Sequence, residues 1–171
     1  VPERFSTFVM KKTNAMRILE AAGISYGSVE YCRTEEHLDA MSVARRLHID
    51  PDTLFKTIVM ISEDNEVFVF CVPAPSAVSL KKIRNITGKK IVPVKLEALQ
   101  KTTGYIRGGC SPVGMKKLFS TFIDETAQLY DYIYVSAGER GHMLRIAPAD
   151  LQTICAAAFC DIAEFPDGGR T

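Results

Sequence analysis

Four glycines, one proline and three basic side chains are packed into Thr103-Gly104-Tyr105-Ile106-Arg107-Gly108-Gly109-Cys110-Ser111-Pro112-Val113-Gly114-Met115-Lys116-Lys117. Glycine lets a backbone come close to a ligand, and proline fixes a bend. Backbone N–H groups in such a loop, with cations beside them, suit a phosphate or a developing oxyanion. A connector that only turned the chain would not need this much special geometry, and Arg107, Lys116 and Lys117 shift the reading toward an anion site. Cys110 and Ser111 are possible nucleophiles. A nucleophile needs a base, and none lies beside them in sequence, although His142 could arrive from elsewhere in the fold. The commoner role for a Cys110 in such a place is a small residue filling a turn.

The second candidate is Lys56, in Leu54-Phe55-Lys56-Thr57-Ile58-Val59-Met60. Strand alternation puts it on one face with Leu54, Ile58 and Met60. A lysine among apolar neighbours costs desolvation energy unless an anion or carbonyl meets it. It is either a cation aimed into a pocket or a side chain that snorkels out near the strand end, the commoner of the two. Tyr31, at a strand end, could stack on a base or hydrogen-bond a substrate, though half-buried packing is more usual. Ser136-Ala137-Gly138-Glu139-Arg140-Gly141 is a second glycine-bearing turn.

These residues need a frame. Helical spacing predicts helices over Lys12–Ala22, closed by Gly23, and over Leu38–His48, followed by the break Asp50-Pro51-Asp52. Tyr26–Tyr31 reads as a strand. Leu54–Ile61 and Val67–Val72 form a predicted hairpin across a polar loop, ended by Pro73-Ala74-Pro75. Ser79 caps a helix through Thr87 that Gly88 stops. Ile91–Val94 is a short strand and Leu96–Lys101 a short helix. Leu118–Ile123, Tyr132–Val135 and Met143–Ile146 read as strands, Ala149–Ala158 as a closing helix and Phe159–Ile162 as a last strand. Helices and strands mix without strict alternation, which predicts an α+β fold with a mixed sheet and peripheral helices.

A chain of 171 residues suits one domain. The expected organisation is an arm or appended remnant at 1–10, one domain over 11–163 and a flexible tail at 164–171. The 47% hydrophobic and 24% charged composition is that of a soluble globular protein. No apolar run is long enough to span a bilayer, and the first residues lack a secretory pattern. The five cysteines are odd in number and form no C-x-x-C pair, so free thiols in a reducing cytoplasm are expected. The three histidines show no ligand spacing with them, so neither a metal nor a cofactor is expected. Net charge is +1, yet Lys81–Lys117 holds ten Lys/Arg and one acidic residue, a local +9 against −8 elsewhere. Such a block reads as a polyanion contact or as solvated helix faces.

Phe55-Lys56-Thr57, Thr103-Gly104-Tyr105, Gly108 through Gly114 with Lys116-Lys117, and Val135 through Gly141 appear in an order and spacing that resembles the YbaK/EbsC family of aminoacyl-tRNA deacylases, relatives of the prolyl-tRNA synthetase editing domain. The likeness is collinear from about Lys11 to Ile162. It implies a mixed β pseudo-barrel flanked by helices and hydrolysis of the ester between a wrong amino acid and the 3′ end of tRNA(Pro), first of all Cys-tRNA(Pro). Ala-tRNA(Pro) or another misacylated tRNA is the alternative substrate. It further implies that Lys56 and the Gly108, Gly109, Ser111 and Pro112 loop are catalytic. Tyr31, Thr103, Tyr105, Gly114, Ser136 and Gly138 would hold the substrate, and Arg107, Lys116 and Lys117 the tRNA. Prolyl-tRNA synthetase is an implied partner and the cytoplasm the implied location. One departure is that the best-studied branch has an acidic residue where this chain has Met143 beside His142. Two rival readings are a non-catalytic module that binds tRNA or the synthetase, and a thiol hydrolase using Cys110.

Overall fold

A computed structural model describes residues 11–32 and 38–166. The arm at 1–10 lies outside the described residues, as do 33–37 and 167–171. In chain order the helices are α1 (Asn14–Ala21), α2 (Ala40–Leu47), α3 (Leu80–Thr87), α4 (Leu96–Thr103) and α5 (Pro148–Cys155). The strands are β1 (Gly27–Glu30), β2 (Phe55–Ser62), β3 (Val67–Pro73), β4 (Ala77–Val78), β5 (Ile91–Pro93), β6 (Ser120–Asp124), β7 (Ile133–Ser136), β8 (His142–Ile146), β9 (Ala158–Cys160) and β10 (Ala163–Glu164).

The main sheet has strand order β5-β2-β3-β6-β9 and is mixed. The β2–β3 hairpin and the β2–β5 pair are antiparallel, while β3–β6 and β6–β9 are parallel. A second, antiparallel sheet runs β1-β8-β7, and β10 pairs with β4. The two larger sheets meet where Leu54 bridges Tyr134. The α+β class with a mixed sheet flanked by helices is what the mixing of helices and strands without strict alternation predicts. The helix ends follow local chemistry: Ser79 accepts from Lys82 N–H at the start of α3, and Gly88, at φ 69°, closes it.

Burial explains the layering. One core gathers Met16 and Leu19 of α1, Phe55, Ile123, Ile133, Leu144, Ile146 and Leu151. A second lies on the other face of the main sheet, around Met60, Phe68, Phe70, Val72 and Ile83. Each fully buried side chain of this size contributes roughly 1.5–3 kcal/mol. A third, smaller cluster of Val43, Ala44, Leu54, Ala74 and Met143 fastens α2 over the end of β2. That cluster puts the N-terminal end of α2 beside Lys56.

Several boundaries differ from the spacing-based expectation. α4 runs on to Thr103, because Gly104 at φ 88° is its first residue able to close it. α5 stops at Cys155, where Ala156 takes a left-handed conformation (φ 48°), and Ala158 pairs with Phe122 instead. The alanine run reads as helix by propensity, and a tertiary strand pairing overrides it. Leu118 is 74% exposed, so β6 begins only at Ser120. Pro51–Thr53 and Glu125–Leu129 form short 3-10 turns where no element is predicted. Glu164, counted from sequence with the tail, pairs with Ala77 in β10. The β10 end is secured by Asp124, 1% exposed, whose Oδ2 accepts from Ile162 N–H (3.1 Å) and Ala163 N–H (2.8 Å).

Candidate active site

The N-terminal side of α2, the start of β2 and the glycine-rich loop enclose a cavity of about 460 Å³. Lys56 lies on its wall, half-buried, with Nζ donating to Ala74 O at 3.2 Å. Burial lowers its pKa below the ordinary lysine value, and the nearby Asp39 carboxylate partly counters this. The ammonium is therefore held at a desolvation cost that one neutral carbonyl does not offset. Leu54, Phe55, Thr57 and Ile58 line the cavity beside it, and Phe55 also packs in the core.

The glycine-rich loop is held from within. Thr103 Oγ1 donates to Leu99 O (2.8 Å) and accepts from Tyr105 N–H (3.0 Å). Tyr105 Oη donates to Val113 O at 2.6 Å, and Ser111 Oγ accepts from Val113 N–H at 3.2 Å. Cys155 Sγ donates to Pro112 O at 3.4 Å. The loop also abuts the 136–141 turn: Arg140 Nε donates to Arg107 O at 2.8 Å. A Cβ on Gly109 would come within 3.2 Å of Arg140 N. Gly138 and Gly114 both lie against the Tyr105 ring. With these ties made, Gly108 and Cys110 face the cavity, and their backbone N–H groups have no acceptor among the described residues. Two N–H donors on the wall of a cavity that also holds an ammonium are the type of donors that stabilise a tetrahedral oxyanion.

The structure therefore divides the residues singled out from sequence. Lys56, Gly108, Tyr31, Ser136 and Arg107 line one cavity. Arg107 accordingly belongs to the cavity wall. Thr103 and Ser111 are fully buried behind the loop, and Gly109 and Pro112 are buried with them. Tyr105, Gly114 and Gly138 pack against one another and do not line the cavity. Lys116 and Lys117 are exposed, Lys116 Nζ reaching Lys101 O at 3.1 Å. Unforeseen lining residues are Asp39, Met41, Val43, Leu99 and Met143. Met41 shares a helical spacing with Ala44 and Leu47 and reads as core. Asp39 falls inside the helix expected over Leu38–His48; α2 begins only at Ala40, and the Asp39 side chain caps it.

Cys110 also lines the cavity, but burial pushes its thiol up to about 11. At neutral pH it is protonated and a poor nucleophile. His142 lies in β8, its Nδ1 3.5 Å from Glu30 Oε1, and does not line the cavity. Cys110→Ala is accordingly expected to keep deacylation of a misacylated tRNA within about twofold. Iodoacetamide at pH 7 is expected to leave the wild type active. Rapid inactivation that the substitution abolishes would restore the thiol-hydrolase reading.

The basic block is partly neutralised in the fold. Lys82 pairs with Asp161 at 2.7 Å, Lys89 with Asp64 at 2.7 Å and with Glu66, and Lys90 with Glu63 at 3.9 Å. Among the described residues no helix is long and apolar enough to cross a membrane, and no group of three His, Cys, Asp or Glu could hold a metal.

Comparison with known proteins bears on the same elements. The family model for the aminoacyl-tRNA editing domain matches residues 34–154. EbsC of Enterococcus faecalis, which carries the assigned name Cys-tRNA(Pro)/Cys-tRNA(Cys) deacylase, is 42% identical over 153 residues, 89% of this chain and 93% of its own length. A solved structure described as a trans-editing enzyme for prolyl tRNA synthetase aligns with a TM-score of 0.78 at 21% identity, covering 90% of this chain and 99% of that one. A scaffold protein from a computational epitope-grafting study aligns equally well (0.78, 20% identity, 89% and 96% covered). At such identities the likeness to solved structures speaks for the fold alone.

Proposed function

The chain belongs to the aminoacyl-tRNA editing domain family, and on that premise we propose that it is a trans-acting deacylase that hydrolyses mischarged tRNA(Pro), with Cys-tRNA(Pro) as its substrate. Family membership and the name of the 42%-identical relative support the reaction. The observation that carries the site assignment is the single cavity shared by Lys56, Arg107 and the free N–H groups of Gly108 and Cys110.

An aminoacyl ester is already activated, so positioning and charge stabilisation suffice for its hydrolysis. In this reading a nucleophile adds to the ester carbonyl, and the carbonyl oxygen becomes an oxyanion held by the Gly108 and Cys110 N–H groups. Collapse of the intermediate breaks the bond to the ribose oxygen, which leaves with a proton. Water is the nucleophile for most aminoacyl groups, and a cysteinyl group can supply its own thiol and leave as a thiolactone. Lys56 holds the terminal adenosine phosphate or the carbonyl region. Thr103, Ser111, Pro112 and Tyr105 keep the loop in shape. The catalytic unit spans 11–163, acts in the cytoplasm and meets its tRNA alone or beside prolyl-tRNA synthetase.

A panel of tRNA(Pro) charged with Cys, Ala, Ser and Pro tests the substrate: Cys is expected to be released fastest. Binding of every species with turnover of none would favour a non-catalytic module. Among the described residues Lys116 and Lys117 are paired with no carboxylate, and they stand beside the loop. Replacing either by Ala is expected to lower the slope of log affinity against log salt by about 1, read from tRNA binding at several ionic strengths.

A further inference from the structure

A backbone N–H has no rotamer of its own, so its direction is that of its peptide plane. In a trans peptide the C=O of one residue and the N–H of the next point to opposite sides. No peptide among the described residues is cis. Gly108 N–H therefore points away from whatever holds Arg107 O. That partner is Arg140, whose Nε donates to Arg107 O at 2.8 Å. Arg107 and Gly108 line the cavity and Arg140 does not. The guanidinium thus grips the peptide from outside the cavity wall.

The local chain leaves that plane free. Gly108 has φ 83°, and a glycine takes φ of either sign without steric cost. Turning the Arg107–Gly108 peptide over needs only opposed changes in ψ of Arg107 and φ of Gly108. It would aim a carbonyl oxygen into the cavity where an oxyanion has to sit. The next residue is anchored instead: Gly109 N–H donates to Ile106 O at 3.0 Å, and an added Cβ would meet the Glu139 and Arg140 backbone at 3.2–3.3 Å. Residues 139 and 140 therefore hold the chain beside the peptide, and the Arg140 side chain selects its orientation. Among the described residues Arg140 forms no ion pair, so its charge is not committed to a carboxylate. A guanidinium on the C=O also polarises the amide and strengthens its N–H as a donor.

We propose that Arg140 is a positioning residue that sets the Arg107–Gly108 peptide with its N–H toward the cavity. Its effect on rate rests on the deacylase reading, whereas its effect on the peptide does not.

Arg140→Gln and Arg140→Met both remove the charge. Glutamine carries Nε2 as far along the side chain as arginine carries Nε, so a donor to Arg107 O is kept, and methionine puts a methyl group there. Arg140→Met is expected to lose about tenfold in kcat on Cys-tRNA(Pro) with KM within about twofold, because the oxyanion exists only after attack. Arg140→Gln is expected to stay within about threefold of wild type in both. The bond is exposed, so Tm should change by no more than about 2 °C in either variant. By NMR, the Gly108 amide resonance is expected to shift or broaden in Arg140→Met and to stay in place in Arg140→Gln, with the Gly88 amide as the unmoved reference. Equal kcat losses in the two variants, or a rise in KM that steepens with salt, would make Arg140 a cation for RNA and overturn the proposal. A shared fall in Tm with the Gly108 resonance unmoved would make its role structural and overturn it too. If the wild type deacylated no member of the tRNA(Pro) panel, the deacylase reading would fall. The Gly108 resonance in Arg140→Met would still decide the positioning, an unmoved signal overturning it.

Discussion

Lys56→Ala is expected to lower kcat/KM for Cys-tRNA(Pro) by roughly 10²–10³-fold, the range seen when one preorganised donor to a developing charge is removed. The half-buried ammonium has one neutral carbonyl partner, Ala74 O at 3.2 Å, and burial lowers its pKa. A group kept under those conditions contributes to the fold less than it costs, so its loss should be felt in activity and not in stability. The sign follows from linkage. Between its lowered folded value and its ordinary unfolded value, Lys56 binds fewer protons in the folded state, so stability rises with pH across that window. Below the folded value the protonated lysine is a standing cost. Lys56→Met, which keeps the length without the charge, is therefore expected to be as inactive as the alanine variant while its Tm at pH 7 is equal or higher. Activity of the wild type is expected to fall as pH rises through a value below the ordinary lysine range. Single-turnover deacylation over a pH series, with thermal melts of both variants, checks these points. Full activity in Lys56→Ala would remove Lys56 from the mechanism.

The second large effect is expected at Gly114. Its φ is +82°, and a Cβ there would stand 2.8 Å from Tyr105 Oη and 2.9 Å from Ile18 Cδ1. Tyr105 cannot give way freely, because its hydroxyl holds Val113 O at 2.6 Å. Gly114→Ala thus combines left-handed strain with a clash against the ring that braces the loop. The expected cost is about 2–3 kcal/mol, a Tm fall of roughly 4–10 °C for a chain of this size. Displacement of the loop moves the Gly108 and Cys110 N–H groups, and kcat/KM should drop roughly tenfold with it. Gly88→Ala is the control. Gly88 has φ +69° and nothing within 4 Å of an added Cβ. It should show strain alone, about 1 kcal/mol, with activity retained. If the two variants melted alike, close packing on Tyr105 would not be what holds the loop.

Local chemistry made much of this molecule legible in advance. The α3 helix from Ser79 to Gly88 and the β2–β3 hairpin follow from a cap, a stop and β-branched alternation, all interactions within a few residues. The α5 end did not follow, because the αL conformation of Ala156 and the pairing of Ala158 with Phe122 come from a strand distant in sequence. Within the site, the glycine-rich loop and Lys56 are visible as residue types out of place in an ordinary turn and an ordinary strand. Asp39 was invisible as a site residue, since the expected helix began at Leu38 and took Asp39 in as one of its residues, whereas α2 begins at Ala40.

What the sequence by itself determined is therefore the local inventory: helices and strands with short-range signals, a loop able to present N–H groups, a costly lysine, and the order of motifs that marks the family. Only the tertiary structure decided which of these meet. It brought Lys56, Arg107, Gly108, Cys110, Tyr31, Ser136 and Asp39 to one cavity. It withdrew Ser111 and Thr103 behind the loop and paired Lys82, Lys89 and Lys90 of the basic block with carboxylates. The physical reason is range: caps, turns and alternation act over a few residues. Burial, desolvation and charge pairing depend on neighbours that the chain brings together only once its sheets are joined.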